Sequence, residues 1–144
     1  MESIAHREII SLKSLLMNKI RLNMTMNYNN NDRLKLHIEK IINSNILVIV
    51  EGKKDKIALE KLGIKNIVEL NKKPLFQIAE DISASNEECI ILTDLDKKGK
   101  EIYGKLNHDL QKNGVKVNNK FREFLFKYTK LRQIEGIDSY LDKM

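Results

Sequence analysis

Hydrophobic and polar positions follow two different periods along this chain, and each change of period marks an element. Over residues 3–22, Ala5, Ile9, Leu12, Leu16 and Ile20 recur at three- and four-residue spacing, which predicts an amphipathic helix. The next segment, NMTMNYNNND at 23–32, is polar, Asn-rich and aperiodic, and reads as a linker. Asp32 is placed to cap a second helix with Leu34, Ile38, Ile41 and Ile42 on one face, ending at 43–45.

From residue 46 onward, short β-branched runs alternate with helical stretches. A strand at 46–50 leads to a helix at 54–62, ended by Gly63. A strand at 66–70 leads through NKKP to a helix at 74–83, with Pro74 in its first turn. A strand at 89–93 leads to a helix at 97–112 carrying Ile102, Leu106 and Leu110, with Gly114 at its end. A short strand at 115–117 follows. This βαβαβαβ order with brief connections predicts an α/β fold, a four-stranded, mainly parallel sheet flanked by helices. A last amphipathic helix holds Phe121, Phe124, Leu125 and Tyr128, and LRQIEGIDSYL forms a short helical tail broken at Gly136. The expected organisation is a helical extension with its linker over 1–31, then an α/β domain with a helical tail over 32–144. The first helix is open to three roles: packing on the core, mediating homo-oligomer or partner contacts, or serving as a dispensable extension.

Composition narrows the class. Hydrophobic residues at 42% and charged residues at 32% are values of a folded globular chain. One cysteine, Cys89, excludes an intrachain disulfide framework and suits a reducing compartment. No apolar run approaches the roughly 18 residues of a membrane span. MESIAHREII lacks a basic n-region leading into an apolar h-region, so no signal peptide is read and a cytoplasmic location is expected. The net charge of +6 is unevenly spread: residues 51–96 carry seven basic and ten acidic side chains, whereas residues 97–144 carry twelve basic and six acidic. An acidic centre between basic flanks suits a cation site within a polyanion-binding surface, although Lys-rich helices also arise simply as solvated faces.

Candidate chemistry lies at two strand ends, ILVIVEGKKD at 46–55 and CIILTDLDKKGK at 89–100. Strand ends of a parallel sheet share one edge, where ligands bind, so Glu51, Asp94 and Asp96 are expected to converge as ligands of a divalent cation. Asp94 and Asp96 are two apart, which in a strand would point both carboxylates the same way. Close carboxylates repel unless a proton or cation lies between them, and Mg²⁺ or Mn²⁺ accepts few carboxylates with water and phosphate completing its shell. The bland alternative is that each aspartate caps the following helix. Lys53, Lys54 and Lys56 surround one helix start and Lys97, Lys98 and Lys100 another, where free amides favour anions. Asp55 is read as a cap or as a partner to those lysines. Arg122, Lys130 and Arg132 extend the basic surface for phosphate contacts. His6, His37 and His108 lack metal-ligand spacing and read as surface histidines.

The sequence strand–EGKKD followed by strand–TDLDKKG resembles the Toprim domain of topoisomerases, bacterial-type primases, OLD-family nucleases and the ribonuclease that matures 5S ribosomal RNA. The tail QIEGIDSYL looks like that of small stand-alone archaeal Toprim proteins. The resemblance implies that Glu51 acts as general acid/base and that Asp94 and Asp96 hold magnesium. Topoisomerase tyrosine and primase zinc modules have no counterpart in this chain. A haloacid-dehalogenase-type phosphatase also uses D-x-D after a strand, but that reading and a response-regulator receiver leave Glu51 unexplained. The expectation is a Mg²⁺-dependent nucleic-acid-binding protein acting as a nuclease on structured RNA or DNA. The alternative is a non-catalytic RNA- or ribosome-associated factor. The aromatics Tyr103, Phe121, Phe124, Phe126 and Tyr128 are read mostly as helix core positions, which favours backbone recognition over base stacking.

Overall fold

The computed structural model describes residues 29–143, together with Met17. The helix expected over 3–22 and most of the linker over 23–32 lie outside the described residues. The elements run α1 (Asn30–Ser44), β1 (Leu47–Val50), α2 (Lys53–Lys61), β2 (Ile67–Glu69), α3 (Leu75–Ser83), β3 (Glu88–Leu92), α4 (Lys97–Lys112), β4 (Lys116–Val117) and α5 (Lys120–Tyr128). A 3₁₀ turn at Ile134–Gly136 and helix α6 (Ile137–Asp142) complete the tail.

The sheet is four-stranded and parallel throughout, in the order β2-β1-β3-β4. β1 and β3 are adjacent and in register, with Leu47 opposite Cys89 and Val50 opposite Leu92. Alternation of side chains along the strands divides the core in two. Val48, Val50, Ile90 and Leu92 face one layer, packed with Leu34 and Ile38 of α1, Leu59 of α2, Phe121, Phe124 and Leu125 of α5, and Ile137 of α6. Leu47, Ile49, Cys89 and Ile91 face the other, packed with Ile78 and Ile82 of α3 and Leu106 and Leu110 of α4. Both faces are covered, which is why the strands read as continuous apolar runs. Burying each such Leu or Ile stabilises the fold by about 1.5–3 kcal/mol before chain entropy is counted.

Helix ends differ from expectation in two places. Asn29, not Asp32, caps α1: its Oδ1 accepts the Asp32 amide at 2.9 Å, in the N-cap-to-third-residue geometry. Pro74 sits just before α3 with φ −57° and ψ 139°, an extended conformation that starts the helix without joining it. Gly114 follows α4 at φ +81°, the left-handed position that closes the helix before β4.

Candidate metal and phosphate site at the sheet edge

Glu51 follows β1 directly, and Asp94 lies two residues beyond β3. Because those strands are neighbours in register, the two side chains meet although they are far apart in sequence. Glu51 Oε2 accepts the Asp94 backbone N–H at 2.9 Å. The Glu51 carboxyl is pushed above its ordinary value first by burial, then by the nearby Asp94 and Asp55 charges, against the lowering effect of the Asp94 amide.

The loop between β3 and α4 is held by a dense set of bonds. Thr93 is fully buried and its Oγ1 donates to the Gly99 carbonyl at 2.7 Å. Asp94 Oδ1 accepts the Ile134 N–H at 3.0 Å, and the Leu95 N–H donates to the Arg132 carbonyl at 2.7 Å. The tail after α5 therefore closes over the loop. At Gly99 the backbone approach leaves no room for a side chain: a Cβ there would lie 1.9 Å from the Asp94 carbonyl oxygen. The glycine in DKKG is thus required by close packing of α4 on the loop.

Asp96 takes the bland alternative for one of its oxygens. β3 ends at Leu92, so strand alternation does not govern 94–96, and Asp96 is exposed at the start of α4. Its Oδ1 accepts the Gly99 N–H at 2.7 Å as an N-cap. Asp55 is also a cap, with Oδ2 accepting the Gly52 N–H at 3.1 Å. Burial raises the Asp55 carboxyl above its ordinary value; the Gly52 and Glu135 amides oppose this, while Asp94 and Glu135 charges add to it. The close pair is thus Glu51 with Asp94, and Asp55 adds a third negative charge that sequence reasoning had left between two roles.

The basic residues fall into two groups. Lys53, Lys54, Lys97, Lys98, Lys100, Lys130 and Arg132 are exposed. Arg122 is not: it is 7% exposed, which corrects its expected place on the phosphate-facing surface. Its Nη1 donates to the Thr93 carbonyl and its Nη2 to the Asp94 carbonyl at 3.2 Å. Burial lowers the Arg122 pKa, while Tyr103, Glu51 and Asp94 favour its charge. It braces the acidic loop from the interior. The period-3.6 stripe of α5 held a hint, since Phe121, Arg122 and Leu125 fall on one face.

Among the described residues, no three His, Cys, Asp or Glu side chains form a ready-made metal cage. The donor set nonetheless fits magnesium. It consists of hard carboxylate oxygens, with the Glu51 carboxylate bonded to the Asp94 amide, and Mg²⁺ takes one or two carboxylates with water and phosphate filling the rest. Asp96 Oδ2 accepts no hydrogen bond among the described residues.

Comparison with known proteins places the family and the fold. The Toprim domain family matches residues 45–119, from the start of β1 to the start of α5. A UPF0292 protein of Methanocaldococcus jannaschii is 37% identical over 100 residues, covering 67% of this chain and 78% of the relative. A UPF0292 protein of Pyrococcus abyssi is 39% identical over 102 residues, covering 70% and 76%. Among solved structures, a putative protein from Aquifex aeolicus superimposes with a TM-score of 0.64 at 33% identity, covering 72% of this chain and 94% of that one. This chain belongs to the Toprim domain family. Toprim domains generally bind Mg²⁺, and the family carries nucleic-acid-related function. Among the described residues, no helix is long and apolar enough to cross a membrane.

Proposed function

We propose that this chain is a Mg²⁺- or Mn²⁺-dependent nuclease that cleaves phosphodiesters in structured RNA or DNA. The observation that carries the reading is the Glu51 carboxyl, half-buried against Asp94, with its proton affinity raised. A carboxyl so placed is suited to give or take a proton near a reacting oxygen. Asp94 and Asp96 would hold the ion, which when bound supplies polarisation of the phosphate and stabilisation of developing charge. Exposed Lys53, Lys54, Lys97, Lys98, Lys130 and Arg132 position the nucleic-acid backbone on either side. Arg122 holds the Asp94 carbonyl, so it keeps the acidic loop fixed while substrate enters.

A second reading, a non-catalytic Mg²⁺-dependent RNA- or ribosome-associated factor, is favoured by one observation. Asp94 and Asp96 each spend an oxygen on a backbone amide, as residues do in a purely structural loop. One experiment separates the two. Parent and Glu51→Gln are incubated with labelled RNA and DNA, with Mg²⁺ or Mn²⁺ and with chelator. Chelator-sensitive cleavage that Glu51→Gln lacks is the nuclease outcome. Intact substrate throughout, with retained binding, is the outcome of the binding factor and overturns the nuclease.

A further inference from the structure

Beyond the acidic edge, α4 and α5 enclose a cleft of about 770 Å³, within the roughly 300–1,000 Å³ of small-ligand sites. Lys100, Tyr103, Asn119, Arg122, Phe126 and Lys127 line it. Phe126 is the unexpected member. Sequence periodicity assigned it with the other α5 aromatics to the core, yet it is 47% exposed, whereas Phe121 and Phe124 are buried. It lies one residue off the buried stripe, and cations lie over its ring: Lys100 Nζ is 4.8 Å and Arg132 Cζ 5.5 Å from its centroid. On the opposite wall the Arg122 guanidinium lies 4.5 Å from the Tyr103 ring. Lys100 and Lys127 form no ion pair among the described residues, and Glu123 is the one carboxylate in the lining.

An exposed aromatic ring between unpaired cations is complementary to a group with a flat apolar face and an attached anion. A nucleotide has both. An apolar peptide or acyl chain would cover the ring but leave the cations uncompensated. The cleft is also continuous with the acidic loop, because Leu95 lines it and Arg122 reaches from it to the Asp94 carbonyl.

We propose that this cleft seats one unpaired nucleotide of a bound nucleic-acid strand: the Lys100 ammonium moves from the Phe126 ring to the phosphate, which it holds with Lys127, and the base takes its place on the ring. The inference rests on the nucleic-acid reading above and deepens it: the preferred substrate has an unpaired nucleotide beside the reacting phosphodiester, rather than uniform duplex. Stacking on an aromatic ring tolerates any base, so the preference is for unpairedness, not sequence.

The test compares two RNA hairpins, one blunt and one with a short unpaired tail carrying 2-aminopurine. The full chain bearing Glu51→Gln is used with Mg²⁺ so that the strand stays whole. The tailed hairpin is expected to bind about ten-fold more tightly than the blunt one, with the 2-aminopurine fluorescence quenched. Phe126→Ala should remove both the gain and the quench and leave blunt affinity unchanged, while Phe126→Trp keeps both. Equal binding of tailed and blunt hairpins overturns the proposal while salt-sensitive affinity for both leaves the nucleic-acid reading standing. That comparison needs no substitution at Phe126, so a poorly folded variant does not decide it. Free 2-aminopurine nucleotide binding as tightly as the tail also overturns the proposal, making the cleft a small-nucleotide site. Binding of neither hairpin at low salt overturns both readings.

Discussion

Glu51 and Asp94 are joined by a 2.9 Å hydrogen bond that spans 43 positions of sequence, from the end of one central strand to the end of its neighbour. The bond draws a carboxylate toward an amide and also toward the carboxylate of the same residue. Attraction and repulsion therefore act at one point, and burial tips the balance toward the protonated form.

Glu51→Gln is expected to stabilise the metal-free protein slightly at neutral pH, by a few tenths of a kcal/mol, because the carboxyl remains partly in water. The native state holds the Glu51 proton more tightly than the unfolded chain, whose ordinary value is 4.5, so the parent loses stability as pH rises above that value. The advantage of the variant should therefore fade as pH falls below about 4.5. Thermal melts of both proteins between pH 4 and 7 check it, and a variant less stable at pH 7 contradicts it.

Asp96 has separable roles as helix cap and as charge. Asp96→Ala should lose about 1 kcal/mol of stability through the cap to Gly99, whereas Asp96→Asn keeps an acceptor and costs little. Mg²⁺ affinity, measured by titration calorimetry, should fall in both. Undiminished Mg²⁺ binding by the folded Asp96→Asn protein would remove Asp96 from the metal site.

Gly99→Ala should be among the most damaging small changes in the protein, about 2–4 kcal/mol, since the added Cβ meets backbone rather than a side chain that can move. Denaturant melts give the magnitude. A loss below 1 kcal/mol would mean that α4 and the acidic loop are not packed as described.

Arg122→Ala should cost about 2–3 kcal/mol by leaving the Thr93 and Asp94 carbonyls without donors in a buried setting. Arg122→Lys should recover only part, because an ammonium does not reproduce the planar fork that reaches both carbonyls. Recovery to parent stability by Lys would show that charge alone suffices there.

Cys89 is buried at the β1–β3 register, and burial pushes its thiol from 9.0 to about 11, with Glu88 adding to the shift. The unfolded chain releases this proton first, so native stability declines as pH rises from 9 toward 11. Relative to Cys89→Ala, the parent should lose about 1 kcal/mol more between pH 8 and pH 10, measured by urea unfolding. Parallel declines in the two proteins would contradict the assignment.

The parallel sheet and the α4 boundaries were legible because parallel strands covered on both faces give unbroken apolar runs, and because Gly63 and Gly114 mark helix ends. Glu51 and Asp94 were legible because both follow such runs. Three features were not. The disposition of Asp96 depends on where β3 stops, one residue before Thr93, and end positions are weakly encoded by periodicity. The burial of Arg122 depends on carbonyls supplied by a loop nearly thirty residues earlier. The exposure of Phe126 follows from the helical period itself, but a segment with Phe at 121, 124 and 126 reads as uniformly apolar until the stripe is counted residue by residue.

The exposed turn at 71–73, between edge strand β2 and α3, divides the chain so that Glu51 lies before it and Asp94 after it. β1 pairs with β2 before that turn and β3 with β4 after it, and the two pairs meet along β1 and β3. The acidic edge is consequently a seam between two halves of one polypeptide. A chain cut at that turn would carry one carboxylate on each fragment, and the paired edge would return only when the fragments associate. Reassembly and recovery of the site would then be one event, read by the same signal.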